Sequence, residues 1–275
     1  MAKRNGELIA VMANTVAEAR HALTVPEQRL VLWLISQIDR EDDALKEHNL
    51  SVHEFGEILG ANNGRLYDQI KEACRQLNHR VLQIRIAPDK LLEIHWMNHV
   101  LYLEKECRIL LQFHDRLKPV LLQLRERFCQ IPLKAAFQLR SGYAIRWLEK
   151  LHARRHQGSF FISVEELRHW LHIEPGELTT VFNLHARAID GPRQHLDKKS
   201  PLTFTAEQKR EGRKIAGWTI TVLENTPKAA KPKPKKPRAP KVPVPAPAPV
   251  DKAIMADLSA FKASLARGTA IPPNS

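Results

Sequence analysis

The stretch TTVFNLHARAIDGPRQHLDKK, residues 179–199, gathers His185, Asp190, His195 and Asp197 beside Arg187, Arg193, Lys198 and Lys199. Imidazoles and carboxylates are the groups of acid–base catalysis and of metal sites, but both need their members to converge on one point. The segment has helical periodicity, and His185 and His195 fall on skewed faces of that helix, so they do not converge. His95 and His99, in HWMNH, have ligand-like spacing but no third ligand. Tyr67, Tyr102 and Tyr143 lack the histidine cluster that a metal-assisted tyrosine nucleophile would use. No G-x-x-x-x-G-K-[ST] loop is present to cradle a nucleotide. The expectation is a protein with no catalytic residues, no metal and no cofactor.

The remaining chemistry is that of a cationic surface. The 275 residues carry a formal net charge of +13, which favours a polyanionic partner. Much of that charge lies beyond residue 225, where ten Lys/Arg face two Asp/Glu, leaving the preceding part only mildly basic. Cys74, Cys107 and Cys129 form no CxxC pair, and neither a signal peptide nor a membrane-length apolar run is visible. A reduced protein of the cytoplasm, without membrane contact, is expected.

An internal repeat sets the architecture. Ser51 and Glu54 in NLSVHEFGEILG correspond to Ser163 and Glu166 in FISVEELRHWLH, each a capping-box pair at a helix start. At the same offset Leu66 corresponds to Leu178, Ile70 to Phe182 and Leu77 to Ile189. Each copy opens with a long helix, TVPEQRLVLWLISQID with its own Thr24/Glu27 box, and SGYAIRWLEKLHARR. A short helix, a turn, a longer helix and a β-hairpin follow. In the first copy Leu82, Ile84 and Ile86 are expected to face Leu92, Ile94 and Trp96 across APDK; in the second, Leu202 and Phe204 face Trp218, Ile220 and Val222. The fold class is therefore α+β, mainly helical, with two tandem winged helix-turn-helix domains at 1–130 and 131–225. A Lys/Pro-rich linker at 226–250, with nine of the chain's eighteen prolines, should be extended and disordered. Residues 251–275 add a short segment with Ile254, Leu258, Phe261 and Leu265 at helical spacing, a candidate to dock on a partner.

In the second copy's long helix, taken from about Gly176, the apolar residues Leu178, Val181, Phe182, Ala188, Ile189 and Leu196 are assigned to the core. The opposite stripe then holds Thr180, Asn183, Arg187, Asp190 and Gln194, with Arg193 beside it. Arginine can donate twice to guanine, and Asn or Gln can pair with adenine, so this stripe suits base edges in a major groove. Lys198 and Lys199 suit phosphates, as do Lys209, Arg210, Arg213 and Lys214 at the tip of the second hairpin. In the first copy Asn63, Arg65, Lys71 and Arg75 are the corresponding candidates, although Glu72 gives that face mixed sign. The plainer reading of each set is a solvated polar face.

The chain resembles the initiator Rep proteins of iteron-controlled plasmids. NTVAEARHALTVPEQRLVLWLISQID, YDQIKEACRQLNHRVLQI, LRSGYAIRWLEKL, ISVEELRHWLHI and EGRKIAGWTI carry the likeness, in order, between Asn14 and Glu224. The resemblance implies two winged-helix domains that bind direct repeats in double-stranded DNA at a plasmid origin, help open the duplex and recruit host replication proteins. It also implies a monomer–dimer equilibrium in which dimers can repress the initiator's own promoter. Arg187 matches the family's arginine in R-V-L-x-P-A, and Gly212, Arg213 and Lys214 match the GRK of its wing. Gly191-Pro192 stands where the family usually has Pro-Ala, which shifts the missing amide by one position. A transcriptional repressor on the same scaffold is the alternative, with an origin-nicking nuclease behind it.

Overall fold

The computed structural model describes residues 3–4, 7–39, 41–59, 65–87, 89–122, 124 and 127–225. The linker and the 251–275 segment, with Ile254, Leu258, Phe261 and Leu265, lie outside the described residues, as does Asn63.

Strands β1 (Lys3–Arg4) and β2 (Glu7–Ala13) open the chain, and helix α1 (Asn14–Ala17) follows. Helix α2 (Val25–Gln37) starts at the expected box, where the Thr24 amide donates to Glu27 Oε2 at 2.7 Å and Pro26 occupies the first turn, where its missing amide costs nothing. Strand β3 (His48–Ser51), helix α3 (Val52–Leu59) and helix α4 (Leu66–His79) complete the first helical trio. Ser51 Oγ accepts the Glu54 amide at 3.4 Å, so the serine half of that box is formed.

Two hairpins come next, and they change the assignment of the first wing. The predicted hairpin exists as β4 (Val81–Ala87) and β5 (Lys90–His95), with Leu82 opposite Ile94 and Ile84 opposite Leu92. A second hairpin, β6 (Met97–Leu103) and β7 (Arg108–Phe113), forms the sheet β3-β7-β6, in which Leu50 sits opposite Ile109. The wing of a winged helix pairs with the strand between its first and second helices, so the wing of the first unit is β6–β7. The β4–β5 hairpin is an insertion before it. Both segments alternate apolar and polar residues equally well; the distant pairing to β3 distinguishes them, and no local pattern encodes it.

Helix α5 (Lys118–Leu121), strand β8 (Phe128–Pro132) and helix α6 (Leu133–Gln138) lead back, with β8 antiparallel to β2 from Ile9–Pro132 to Ala13–Phe128. The second unit runs through helix α7 (Gly142–Arg154), strand β9 (Ser159–Ser163), helix α8 (Val164–Trp170), helix α9 (Val181–His185), helix α10 (Gly191–Lys199), strand β10 (Leu202–Glu211) and strand β11 (Lys214–Glu224). Its sheet order, β10-β11-β9, repeats β6-β7-β3. Phe204 faces Val222, one of its expected partners, whereas Leu202 lies opposite Glu224. Gly217 lies opposite Ser163, where an added Cβ would come within 2.2 Å of the Ile162 carbonyl, so β11 can approach β9 only with glycine there.

One continuous apolar core runs through both units. Helix α7 is its centre. Trp147 stacks on Phe204 at 4.4 Å and meets Trp170 edge-on at 5.1 Å. The side of α7 turned to the first unit buries charge instead: Arg146 donates to Glu149 at 2.5 Å and to the Ala19 carbonyl at 2.5 Å. Around this pair Arg154 bonds Glu18, Asn14 donates to the Ala153 carbonyl, and Arg20 pairs with Glu174 at 3.2 Å. The two winged units are thus joined by a polar seam over a shared core, buried at Arg146–Glu149 and open to solvent at Arg20–Glu174. Among the described residues no helix is long and apolar enough to cross a membrane.

Candidate nucleic-acid interface

Helix α9 begins at Val181, not Gly176. Thr180 is its N-cap, its hydroxyl accepting the Asn183 amide at 3.2 Å, and therefore sits before the outward stripe instead of on it. The preceding segment, 171–180, is held by Arg168, whose guanidinium donates to the carbonyls of Leu178 (3.0 Å), Glu174 (3.1 Å) and Glu177 (2.6 Å). Gly176 and Leu178 both take positive φ in that turn. The constant offset of the repeat, which pairs buried Ile70 with Phe182, does not hold at the start of this helix. Leu184, not Phe182, takes the inner position at the helix start, and Phe182 is 81% exposed. Assigning Phe182 to the core was an error of register. The paired threonines 179–180 before the apolar run are the cap signal that would have placed the start correctly.

The Gly191-Pro192 joint has a specific solution. Residues Ala186–Asp190 form a π turn, closed by the Gly191 amide donating to the Ala186 carbonyl. Pro192 has no amide to offer the carbonyl four residues back, that of Ala188. The indole Nε1 of Trp147 donates to this carbonyl at 2.6 Å inside the core. One buried tryptophan thus replaces the bond that the proline removes and pins the middle of the helix to α7. The π turn carries the helix through the proline, so α9 and α10 form one continuous rod to Lys199.

On that rod Asn183, Arg187, Gln194 and Lys198 are exposed along one side, with Phe182 and Ala186 among them. The inner side is Leu184, Ala188, Ile189 and Leu196. Arg193 is half-buried and pairs with Asp190 at 3.3 Å, while Asp190 also holds His185 Nδ1 at 3.0 Å. His185 and Asp190 therefore serve the helix surface as part of a polar cluster with Arg193. Lys199 turns back to donate to the Gln138 carbonyl at 2.9 Å. Among the described residues Arg187 and Lys198 form no ion pair, which leaves them available to an incoming anion.

The second wing reaches beyond the core as a twisted ribbon. β10 and β11 stay paired to Glu211–Lys214, closed by Gly212 at φ 59°, a left-handed conformation that glycine adopts without strain. A bulge between Lys209 and Arg210 strengthens the ribbon's twist near the tip. Lys209, Arg210, Arg213 and Lys214 are all exposed there. An open groove separates the tip from the start of α9, lined by Ser163, Glu165, Val181, Arg213, Lys214 and Ile215.

The first unit presents a different surface. Lys71 of α4 is bonded to Glu104 at 2.5 Å, at the tip of β6–β7, and lies 5.5 Å from the Tyr102 ring centre. Arg75 makes a two-pronged bond to Glu72, at 2.8 and 2.7 Å. Arg65 precedes α4 as its N-cap residue. The tip itself, Glu104–Glu106, contributes two carboxylates and one amine. Two of the cations predicted for this unit are therefore engaged within it. Of the histidine pair, His99 Nε2 lies 2.6 Å from Glu47 Oε2. Among the described residues no group of three or more His, Cys, Asp or Glu is placed to hold a metal ion.

Two winged helix-turn-helix units in tandem, one with a long outward helix beside a basic wing, define the class of this protein. The chain belongs to the initiator replication protein family. The family model described as "Initiator Replication protein, WH1" matches residues 9–152, and "Initiator Rep protein, WH2" matches residues 163–222. A replication initiation protein of Escherichia coli is 25% identical over 178 residues, or 61% of this chain; the match spans 55% of that relative's length. The crystal structure of the Pi initiator protein in complex with iteron DNA aligns with a TM-score of 0.66 at 17% identity, covering 81% of this chain and 99% of that one. At that identity the likeness speaks for the fold.

Proposed function

We propose that this chain is a plasmid replication initiator that binds direct repeats in double-stranded origin DNA, with the 181–199 helix in the major groove and the β10–β11 wing along the backbone. The observation that carries this reading is the unpaired stripe Asn183, Arg187, Gln194 and Lys198 beside the basic wing tip. The likeness in fold to an initiator solved with iteron DNA supports it. On this reading the protein works in the cytoplasm without catalysis: occupancy and bending of repeated sites supply the free energy for opening the duplex. Host replication proteins are then recruited to the opened origin, and a dimeric form represses the chain's own promoter.

The deciding experiment is a DNase footprint of the purified protein on DNA flanking its gene. Protection of tandem repeats beside an A·T-rich stretch is expected. Protection of one inverted repeat at the promoter alone would make it a repressor, and a metal-dependent covalent protein–DNA adduct would make it a nuclease.

Two substitutions refine this. Arg187→Ala lowers affinity for the repeat by about 1–3 kcal/mol and relaxes preference at one base pair; unchanged affinity in a titration removes Arg187 from base reading. Arg213→Ala with Lys214→Ala weakens binding to all sequences alike and reduces the slope of log K against log salt by about 0.9 for each phosphate that the wing no longer neutralises. A slope equal to that of the wild type would place the wing tip off the DNA.

A further inference from the structure

Resting on the reading that the 181–199 helix lies in a major groove, we infer that Phe182 determines specificity by seating its ring against the 5-methyl group of a thymine in the repeat. Phe182 is 81% exposed, whereas among the described residues the other exposed large apolar side chains range from 39% to 49%. Leaving a phenylalanine in water forgoes the favourable burial of its ring. A loose helix end does not explain the exposure. Thr180 caps the amide of Asn183, Leu184 anchors the next position in the core, and Arg168 clamps the three carbonyls of the turn before it.

Its neighbours say what covers it. Phe182 lies one helical turn before Ala186 on the outward side and next to Asn183, which is itself one turn before Arg187, so two apolar side chains are set among groups suited to base edges. The first turns of a recognition helix are the part that reaches base edges. In the major groove the only apolar feature is the thymine methyl, and phenylalanine and alanine are side chains that contact it. An apolar protein surface is the poorer occupant, because seating one here would bury unpaired Arg187 and bring the wing cations Arg213 and Lys214 close to it, at a desolvation cost. DNA meets the ring and those cations together.

The test uses the full chain and repeat duplexes in which each thymine is replaced in turn by deoxyuridine, which lacks only the methyl. The wild type is expected to bind about fourfold more weakly at one position, the equivalent of roughly 0.8 kcal/mol for one methyl group. Phe182→Ala, which removes an exposed side chain, keeps the wild-type unfolding midpoint and is indifferent to uracil at that position; Phe182→Leu, still apolar, retains part of the preference. The inference is overturned if no uracil position weakens the wild type, or if the loss persists in full in Phe182→Ala. It also falls if Phe182→Ala changes the oligomeric state while leaving the uracil response intact, which would assign the ring to a protein contact. Wild-type protein that binds the repeat no better than unrelated duplex would remove the DNA-binding reading itself, whereas specific binding without a uracil effect removes Phe182 alone.

Discussion

Glu149→Ala lowers the unfolding free energy by about 3–5 kcal/mol, the usual consequence of stranding one member of a buried ion pair. Arg146 and Glu149 are 3% and 4% exposed, and they meet at the seam between the two winged units. Burial pushes the Glu149 carboxyl up from its ordinary range, and Arg146 opposes that shift. Arginine keeps its charge in proteins, so without Glu149 the guanidinium has the Ala19 carbonyl, the Trp170 face at 5.2 Å and only the Glu18 carboxylate as counter-charge, which is already bonded to Arg154. Urea unfolding provides the measurement. The joint replacement Arg146→Met with Glu149→Leu, which removes both charges and keeps apolar volume, recovers most of the loss. A single-variant loss below about 1 kcal/mol would mean that water reaches the guanidinium and that the seam is not held as described. Because the pair joins α7 to the segment after α1, Glu149→Ala also loosens the spacing of the two units, and on the proposed function DNA binding weakens with stability.

The second large effect belongs to Trp147. Trp147→Ala costs about 3–5 kcal/mol, since it empties the space between Phe204 and Trp170. Trp147→Phe separates packing from polarity. It keeps an aromatic ring but removes the indole donor from the buried Ala188 carbonyl, a loss of about 1–3 kcal/mol. Pro192→Ala supplies the missing amide, so it rescues the phenylalanine variant while doing little in the wild type. Thermal unfolding of the four proteins gives the coupling energy directly. Additive effects would show that the indole and the proline are not linked through Ala188.

How legible all this was depended on the range of the interactions involved. The capping box at Thr24 and Glu27, the serine caps at Ser51 and Ser163, and the Phe204–Val222 register are set by neighbours in sequence or by strict alternation, and the chain displays them openly. The exposed positions of Asn183, Arg187, Gln194 and Lys198 follow from helical period alone. The inner position falls on Leu184 and not on Phe182 because the turn before the helix is set by Arg168 reaching three carbonyls, which no repeat offset records. Lys71 and Arg75 look like free cations in sequence, but their partners Glu104 and Glu72 are chosen by the fold of the wing and by rotamers on one helix turn.

The sequence by itself determined two copies of one helical trio with a hairpin, and a charged outward helix. Those properties reside in periodicity and in the identities of adjacent residues. Tertiary structure decided which hairpin is the first wing, because strand partners are selected by distant pairing. It also decided how Gly191-Pro192 is tolerated, because the bond replacing the lost amide comes from a tryptophan on another helix. Finally, it left a phenylalanine facing outward among Asn183, Ala186 and Arg187, because the inner side of the helix was already filled by Leu184, Ala188 and Ile189.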